Sequence, residues 1–567
     1  MEVDMRKMIF LTAILVLTAS VVSAQSNSEE NFKLLSRDIL ENLQSFYPVT
    51  STERGIHTYD YRFTDYSEAS IKAEISKLKG FETKLSKYDT ANFSFDSRIN
   101  LRLIKSNVDI ALLDLSKIKS HVSNPYFYIS DAVNGIYLIL VSEYPPLETR
   151  TQNVIARLKA VPDLINQARQ NLKNPTPLFV DMALEMCTTG VDFYMTVEDD
   201  LSSEFPGLAS EIEMAASRAI SSVMDYRAFL EKIRRGTPLS FAIGKVNFDY
   251  KLQHEYFLDY DSDSLLKIGE NLFKQADSMY KAYILYLETT PTNVDSVFAV
   301  DCITRDDVLR YYNWELDQTR QFLEEKNIVT VPEDIGDCLV LETPPILTGV
   351  ISSIAYQPPG VYNSDQTGHL YVRPIPDSMD AGQREARFKY IIRRGFRSSV
   401  AHEVFPGQHL HFQLAAKLTD DIRKWQKNAC LYEGWALYCE EMMFDNGFYG
   451  TDKRPYLNIL GGIRFRAARI IVDVKLHTGK MTPDEAVKWM TEALDSDSDF
   501  YRIEVNRYCT QPTIPMSHLI GKREIMALRE AVRARDGDKF SLKDFHDILL
   551  AEGALPPKLL WDIWKLR

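Results

Sequence analysis

From about Glu29 to Phe241, apolar residues recur every three or four positions, the period of helices with one buried face. The run from Phe32 to Leu43 shows the pattern, and Pro48 ends it. Further runs span Ile71 to Leu85, Ile99 to Ile118, Val154 to Leu172 and Leu208 to Ile233, and Pro162 is expected to interrupt the third of these. Short polar breaks such as Asn174-Pro-Thr-Pro and Arg235-Gly-Thr-Pro separate the runs. Two more helices are expected over Asp263 to Leu287 and Arg305 to Lys326. Between Pro332 and Pro376, alternation replaces the helical period, and Gly368-His-Leu-Tyr-Val-Arg-Pro reads as a short strand. Helical patterning resumes at Ala381 and holds to about Phe444. It returns over Ile459 to Leu476, Thr482 to Leu494, Ile520 to Arg535 and Leu542 to Glu552. These elements predict a mainly α chain, a large two-lobed helical fold with one small β element. A composition shift near Gly236 to Asn247 divides residues 25–240 from 241–567.

Composition sharpens this. The chain has 567 residues, 45% of them hydrophobic, with 29 Tyr and 28 Phe, enough for an extensive core. The formal charge of -13 argues against nucleic acid or anionic membrane surfaces as main partners. Arg6 and Lys7 precede an apolar run from Ile9 to Val22, and Val22-Ser23-Ala24 has the form of a cleavage site. Residues 1–24 therefore read as a signal peptide, and the protein is expected to be exported, to the periplasm or the medium. No second apolar stretch reaches membrane length, so no span is expected after cleavage. Six cysteines, Cys187, Cys302, Cys338, Cys430, Cys439 and Cys509, show no metal-binding spacing. Disulfides and ordinary buried thiols are equally compatible with them.

The candidate chemistry begins at His402-Glu403-Val-Phe-Pro406-Gly407-Gln408-His409. The His-Glu-x-x start is that of a zinc-hydrolase helix, whose second histidine falls four residues after the first. Here Pro406 holds that place, and His409 follows His402 by seven residues. An unbroken helix would separate the two by about 10.5 Å of rise, too far for one ion with bonds near 2.1 Å. The Pro-Gly pair can break the helix and bring His409 back. His411 competes with it. Glu403, next to His402, is the candidate base. Glu433 heads Glu433-Gly-Trp-Ala-Leu-Tyr438 and is the candidate third ligand, with Gly434 and Ala436 small enough for close packing on the first helix. Glu440 is either a solvated residue or a hydrogen-bond partner behind a ligand.

Together these two motifs resemble the bacterial family catalogued as domain of unknown function 885, which is similar to a helical branch of the gluzincin metallopeptidases. Pro48-Val-Thr-Ser-Thr-Glu-Arg-Gly55-Ile-His-Thr-Tyr-Asp60 and the segment from Asn506-Arg507-Tyr508 to Gly521 extend the likeness over most of the chain. The resemblance implies a mostly helical fold around a deep cleft, one Zn²⁺ and peptidase activity. The chain departs from the family pattern twice. Gln408 stands where a histidine is usual, and His518 where a tyrosine is usual.

The expected function is an exported zinc-dependent peptidase acting on a peptide substrate. His402, His409 and Glu433 hold the metal, Glu403 activates water, and Tyr508 or His518 donates to the oxyanion. Arg507 either binds a substrate carboxylate, favouring a carboxypeptidase or dipeptidase, or forms a structural ion pair. The strand at Tyr371 is expected to pair with an extended peptide. The alternatives are a metal-free peptide-binding protein and a zinc hydrolase of other amides or esters. Oligomeric state is not readable from the chain.

Overall fold

A computed structural model describes residues 28–142, 144, 146–290, 304–347, 351, 353–375, 379–393, 397–495 and 498–566. The signal-peptide reading of residues 1–24 and Cys302 lie outside the described residues. The remaining cysteines, Cys187, Cys338, Cys430, Cys439 and Cys509, are free thiols. No helix among the described residues is long and apolar enough to cross a membrane.

The fold is mainly α. One hydrophobic core is built by four long helices: α1 (Pro125–Val141), α2 (Leu147–Asn171), α3 (Pro177–Glu204) and α4 (Ala209–Leu230). α2 continues through Pro162, against the expected interruption. Val154, Leu158, Val161, Leu164, Ile165 and Ala168, on both sides of the proline, are all buried. Burial of this stripe outweighs the roughly 3 kcal/mol that a mid-helix proline costs.

A larger core joins helix 28–46 to the rest of the chain. It takes Phe32, Ile39 and Leu43 from that helix and Tyr311 and Tyr312 from α5 (Arg305–Lys326). Val400, Leu410, Trp435 and Met443 complete its centre. α5 begins with a capping box, Thr304 and Asp307 each bonding the other's backbone, which fixes its start.

A three-stranded sheet of β1 (Cys338–Glu342), β2 (Ile354–Gln357) and β3 (Gly368–Val372) has the order β1-β3-β2. β3 pairs parallel with β1 and antiparallel with β2. This corrects the expectation for Tyr371. It lies on the central strand, paired on both sides, and its hydroxyl bonds Tyr137 at 2.7 Å. No edge is left there for a peptide.

The helical patterning from Ala381 to Phe444 is divided among several helices, with a break at the Pro-Gly pair where one was expected. α6 (Arg397–Glu403) and α7 (Gln408–Ala416) flank the Pro-Gly pair, and α8 (Ala429–Asp445) follows. α9 (Arg454–His477), α10 (Ser498–Thr510) and α11 (Ile514–Asp536) then close around them. α8 and α11 cross backbone to backbone. A Cβ on Gly434 would stand 2.6 Å from the Gly521 Cα, and one on Gly521 would overlap the Cys430 carbonyl oxygen. Gly434 was expected to face the first helix; it faces α11 instead.

Candidate functional site

Each residue of the two motifs has a local task. At the break, Gly407 lies on the end of α6, where a Cβ would overlap the His402 carbonyl oxygen. The fully buried Trp435 indole donates at 2.8 Å to the Pro406 carbonyl, so α8 holds the break shut. Glu433 precedes the Gly434–Gly521 crossing by one residue, and His518 precedes it by one turn on α11. The crossing therefore sets the two side by side, and His518 Nε2 is 3.0 Å from Glu433 Oε2.

His402 joins them from α6. Its Nδ1 is 2.8 Å from Glu440 Oε1, and its Nε2 is 3.5 Å from Glu433 Oε2. The Gln408 amide donates to the same Glu433 oxygen at 3.1 Å. The His402 and His518 rings lie 23° from coplanar with centroids 6.3 Å apart. Three side chains from three helices thus converge on one carboxylate oxygen.

His409 is not among them. Its Nδ1 meets the Tyr356 hydroxyl at 2.7 Å, and its Nε2 meets the Gly336 carbonyl at 3.0 Å. The ring is fully buried among Phe405 and Tyr356, with both nitrogens engaged. The structure does not bring His409, expected as a metal ligand, to Glu433: its two nitrogens meet Tyr356 and Gly336 instead. His411 is also buried, which pushes it down to about 4 against a hydrogen bond with the Gly553 backbone.

The electrostatics separate these groups. Burial alone would push His402 down, but Glu433 and Glu440 hold it up at about 9. Burial also opposes the charge on Glu433, yet His518 and His402 keep it well below the usual carboxylate range. Burial and the Arg469 guanidinium push His518 down to about 3, against the pull of Glu433. Burial raises Glu403 to about 7, and its Oε2 accepts from the Tyr356 N–H at 3.2 Å.

Tyr508 was expected to donate to an oxyanion. Its hydroxyl proton goes to Glu504 at 2.8 Å, and the ring is buried. Arg507 donates to the same Glu504 oxygen at 2.7 Å. The arginines that approach the cluster are on α9. Arg466 Nη2 is 3.4 Å from Glu440 Oε1, and Arg469 Nη1 is 3.5 Å from His518 Nε2. Neither arginine stands out in the sequence except as part of a row, Arg464, Arg466 and Arg469, inside an otherwise apolar helical run.

No group of three or more His, Cys, Asp or Glu among the described residues is laid out around a metal position. His402, Glu433 and His518 contact one another as they stand. Their chemistry nevertheless fits one. Bonds near 2.1 Å in a tetrahedral set hold donors about 3.4 Å apart, and the two nitrogens lie 3.5 and 3.0 Å from the Glu433 oxygen. Two imidazoles and a carboxylate are a set zinc accepts, and a carboxylate on the far nitrogen of His402 aims its Nε2 at the centre. As for the expected deep cleft, two cavities formed by described residues lie elsewhere. One is lined by Ser142, Gln357 and Asn363, the other by Tyr47, Asp114 and Trp425.

The family described as "Bacterial protein of unknown function (DUF885)" matches residues 48–562. Two solved structures share the fold. A proposed lipoprotein of unknown function from Shewanella oneidensis is 20% identical with a TM-score of 0.73, covering 94% of this chain and 99% of its own. A proposed lipoprotein from Colwellia psychrerythraea is 19% identical with a TM-score of 0.77, covering 95% and 99%. At these identities the likeness is one of fold. No curated protein matches the chain.

Proposed function

The chain belongs to the DUF885 family of bacterial proteins, and on that premise we propose that it is a zinc-dependent peptidase whose metal is held by His402, Glu433 and His518. The observation that carries this is the convergence of both Nε2 atoms on one Glu433 oxygen. When bound, zinc supplies the Lewis acidity that makes a water nucleophilic near neutral pH. Glu403, held near 7 by burial, takes the proton of the attacking water and passes it to the leaving amine. Glu440 fixes the ring orientation of His402. The substrate strand lies along β2, the edge of the sheet that reaches Glu403 through the Tyr356 N–H. Export belongs to the same reading. It is supported by the apolar run from Ile9 to Val22 and by the two fold relatives proposed as lipoproteins.

Zinc content of the purified protein, followed by cleavage of a defined peptide pool, tests this. One zinc per chain is expected, lost in His518→Ala and kept in His409→Ala. Hydrolysis that survives Glu403→Gln in full would end the proposal. One observation favours a second reading, a metal-free peptide-binding protein: the Gln408 amide already satisfies the Glu433 oxygen. That reading predicts no zinc even after zinc is supplied, and binding of peptides without cleavage.

A further inference from the structure

We infer that Arg469 is the subsite for a free carboxylate, so that the enzyme removes residues from the C-terminal end of a peptide. This rests on the hydrolase reading above. Four cations surround the cluster, and three have carboxylates of their own. Arg507 has Glu504 at 2.7 Å, Lys522 has Glu441 at 2.6 Å, and Arg466 has Glu440 at 3.4 Å. Arg469 has none within 4 Å among the described residues, though Glu504 and Asp473 act on it from farther away. Arg469 is 4% exposed, its Nε lacks a hydrogen-bond partner among the described residues, and its Nη1 is 3.5 Å from His518 Nε2. Its guanidinium lies 5.2 Å over the Tyr508 ring, which holds the plane in place without neutralising it. The carboxylate on Tyr508, Glu504, is already shared by Arg507 and the Tyr508 hydroxyl.

A buried guanidinium that makes no direct ion pair is incompletely compensated, because Glu504 and Asp473 act on Arg469 only from beyond 4 Å. A substrate carboxylate completes that compensation, through the paired N–H groups that suit that shape. The wall around it is not sealed. The side chains of Glu433, Arg466 and Arg507 are 16%, 17% and 35% exposed. The position also sets the length of what binds. One residue spans about 3.5 Å, so a carboxylate on Arg469 leaves the last peptide bond beside His518 and Glu433. There the water oxygen bonds to the acyl carbon, the C–N bond breaks, and the released amino acid keeps its free carboxylate and takes the proton on nitrogen.

The test uses zinc-supplied protein and two probe pairs: benzoyl-glycyl-phenylalanine with its C-terminal amide, and benzoylglycine with benzoylglycinamide. The parent is expected to cleave the acid at least about tenfold faster than the amide in kcat/KM. Arg469→Met is expected to lose that preference through KM, with Arg469→Lys intermediate. By calorimetry, benzoylglycine should bind the parent at least about tenfold more tightly than Arg469→Met, and the amide should not distinguish them. If Arg469→Met does not fold, the acid–amide comparison in the parent and the Arg469→Lys variant decide. Cleavage with no acid preference would overturn the subsite and leave the hydrolase reading standing. Arg469-dependent binding of benzoylglycine without cleavage of either peptide would uphold the subsite and overturn the hydrolase. Neither cleavage nor Arg469-dependent binding would overturn both.

Discussion

The two sides of the Pro406–Gly407 break hold the same side chain in opposite surroundings. On one side His402 lies between the carboxylates of Glu433 and Glu440 and is held up at about 9. On the other side His409 lies between a phenol and a backbone carbonyl, and burial pushes it down to about 4. Both rings are buried and both are fully bonded. What separates a candidate ligand from a core residue here is the charge of its partners, and burial alone does not reveal that. His518 joins the first group although it is remote in sequence, because α11 carries it to Glu433. His409 falls in the second group although it is in the motif.

Breaking the comparison on its charged side should have the largest effects. His402→Ala or His518→Ala should lower zinc affinity by about a thousandfold or more, read by competition with a chelating dye. Glu403→Gln should keep the zinc and lower kcat by about a thousandfold on whichever peptide the parent cleaves. On the neutral side, His409→Ala should cost about 3 kcal/mol of stability in urea titration, because it leaves a cavity and two unpaired groups, and should leave zinc content unchanged. Loss of zinc in that variant would place His409 with His402 among the ligands. Glu440→Gln should weaken zinc by about 10- to 100-fold, since the partner that orients His402 loses its charge. Tyr356→Phe, which removes one neutral hydrogen bond to His409, should cost about 1 kcal/mol and leave the metal alone.

Much of the fold was legible because helical period and capping are local. The expected Arg305–Lys326 helix has those bounds, and the break at Pro406–Gly407 falls between α6 and α7. Pro162 misled because a local penalty was weighed without the packing that overrides it. Within the site, spacing could name the histidines but could not say which way a chain turns after a break. That direction is set by Gly407 on the His402 carbonyl and by Trp435 on Pro406, contacts made only when α8 has docked. Arg469 was invisible for a related reason. Its significance is that Glu504 is already taken, which is a property of three dimensions.

The crossing of Gly434 and Gly521 also fixes an order of events in time. A ribosome delivers α6 and α8 long before α11, so a growing chain carries His402 and Glu433 without His518. The two glycines cannot touch until α11 has been made, and a chain that stops before it lacks His518. The side chains that meet at the Glu433 oxygen are therefore brought together only once α11 has been made and has docked on α8.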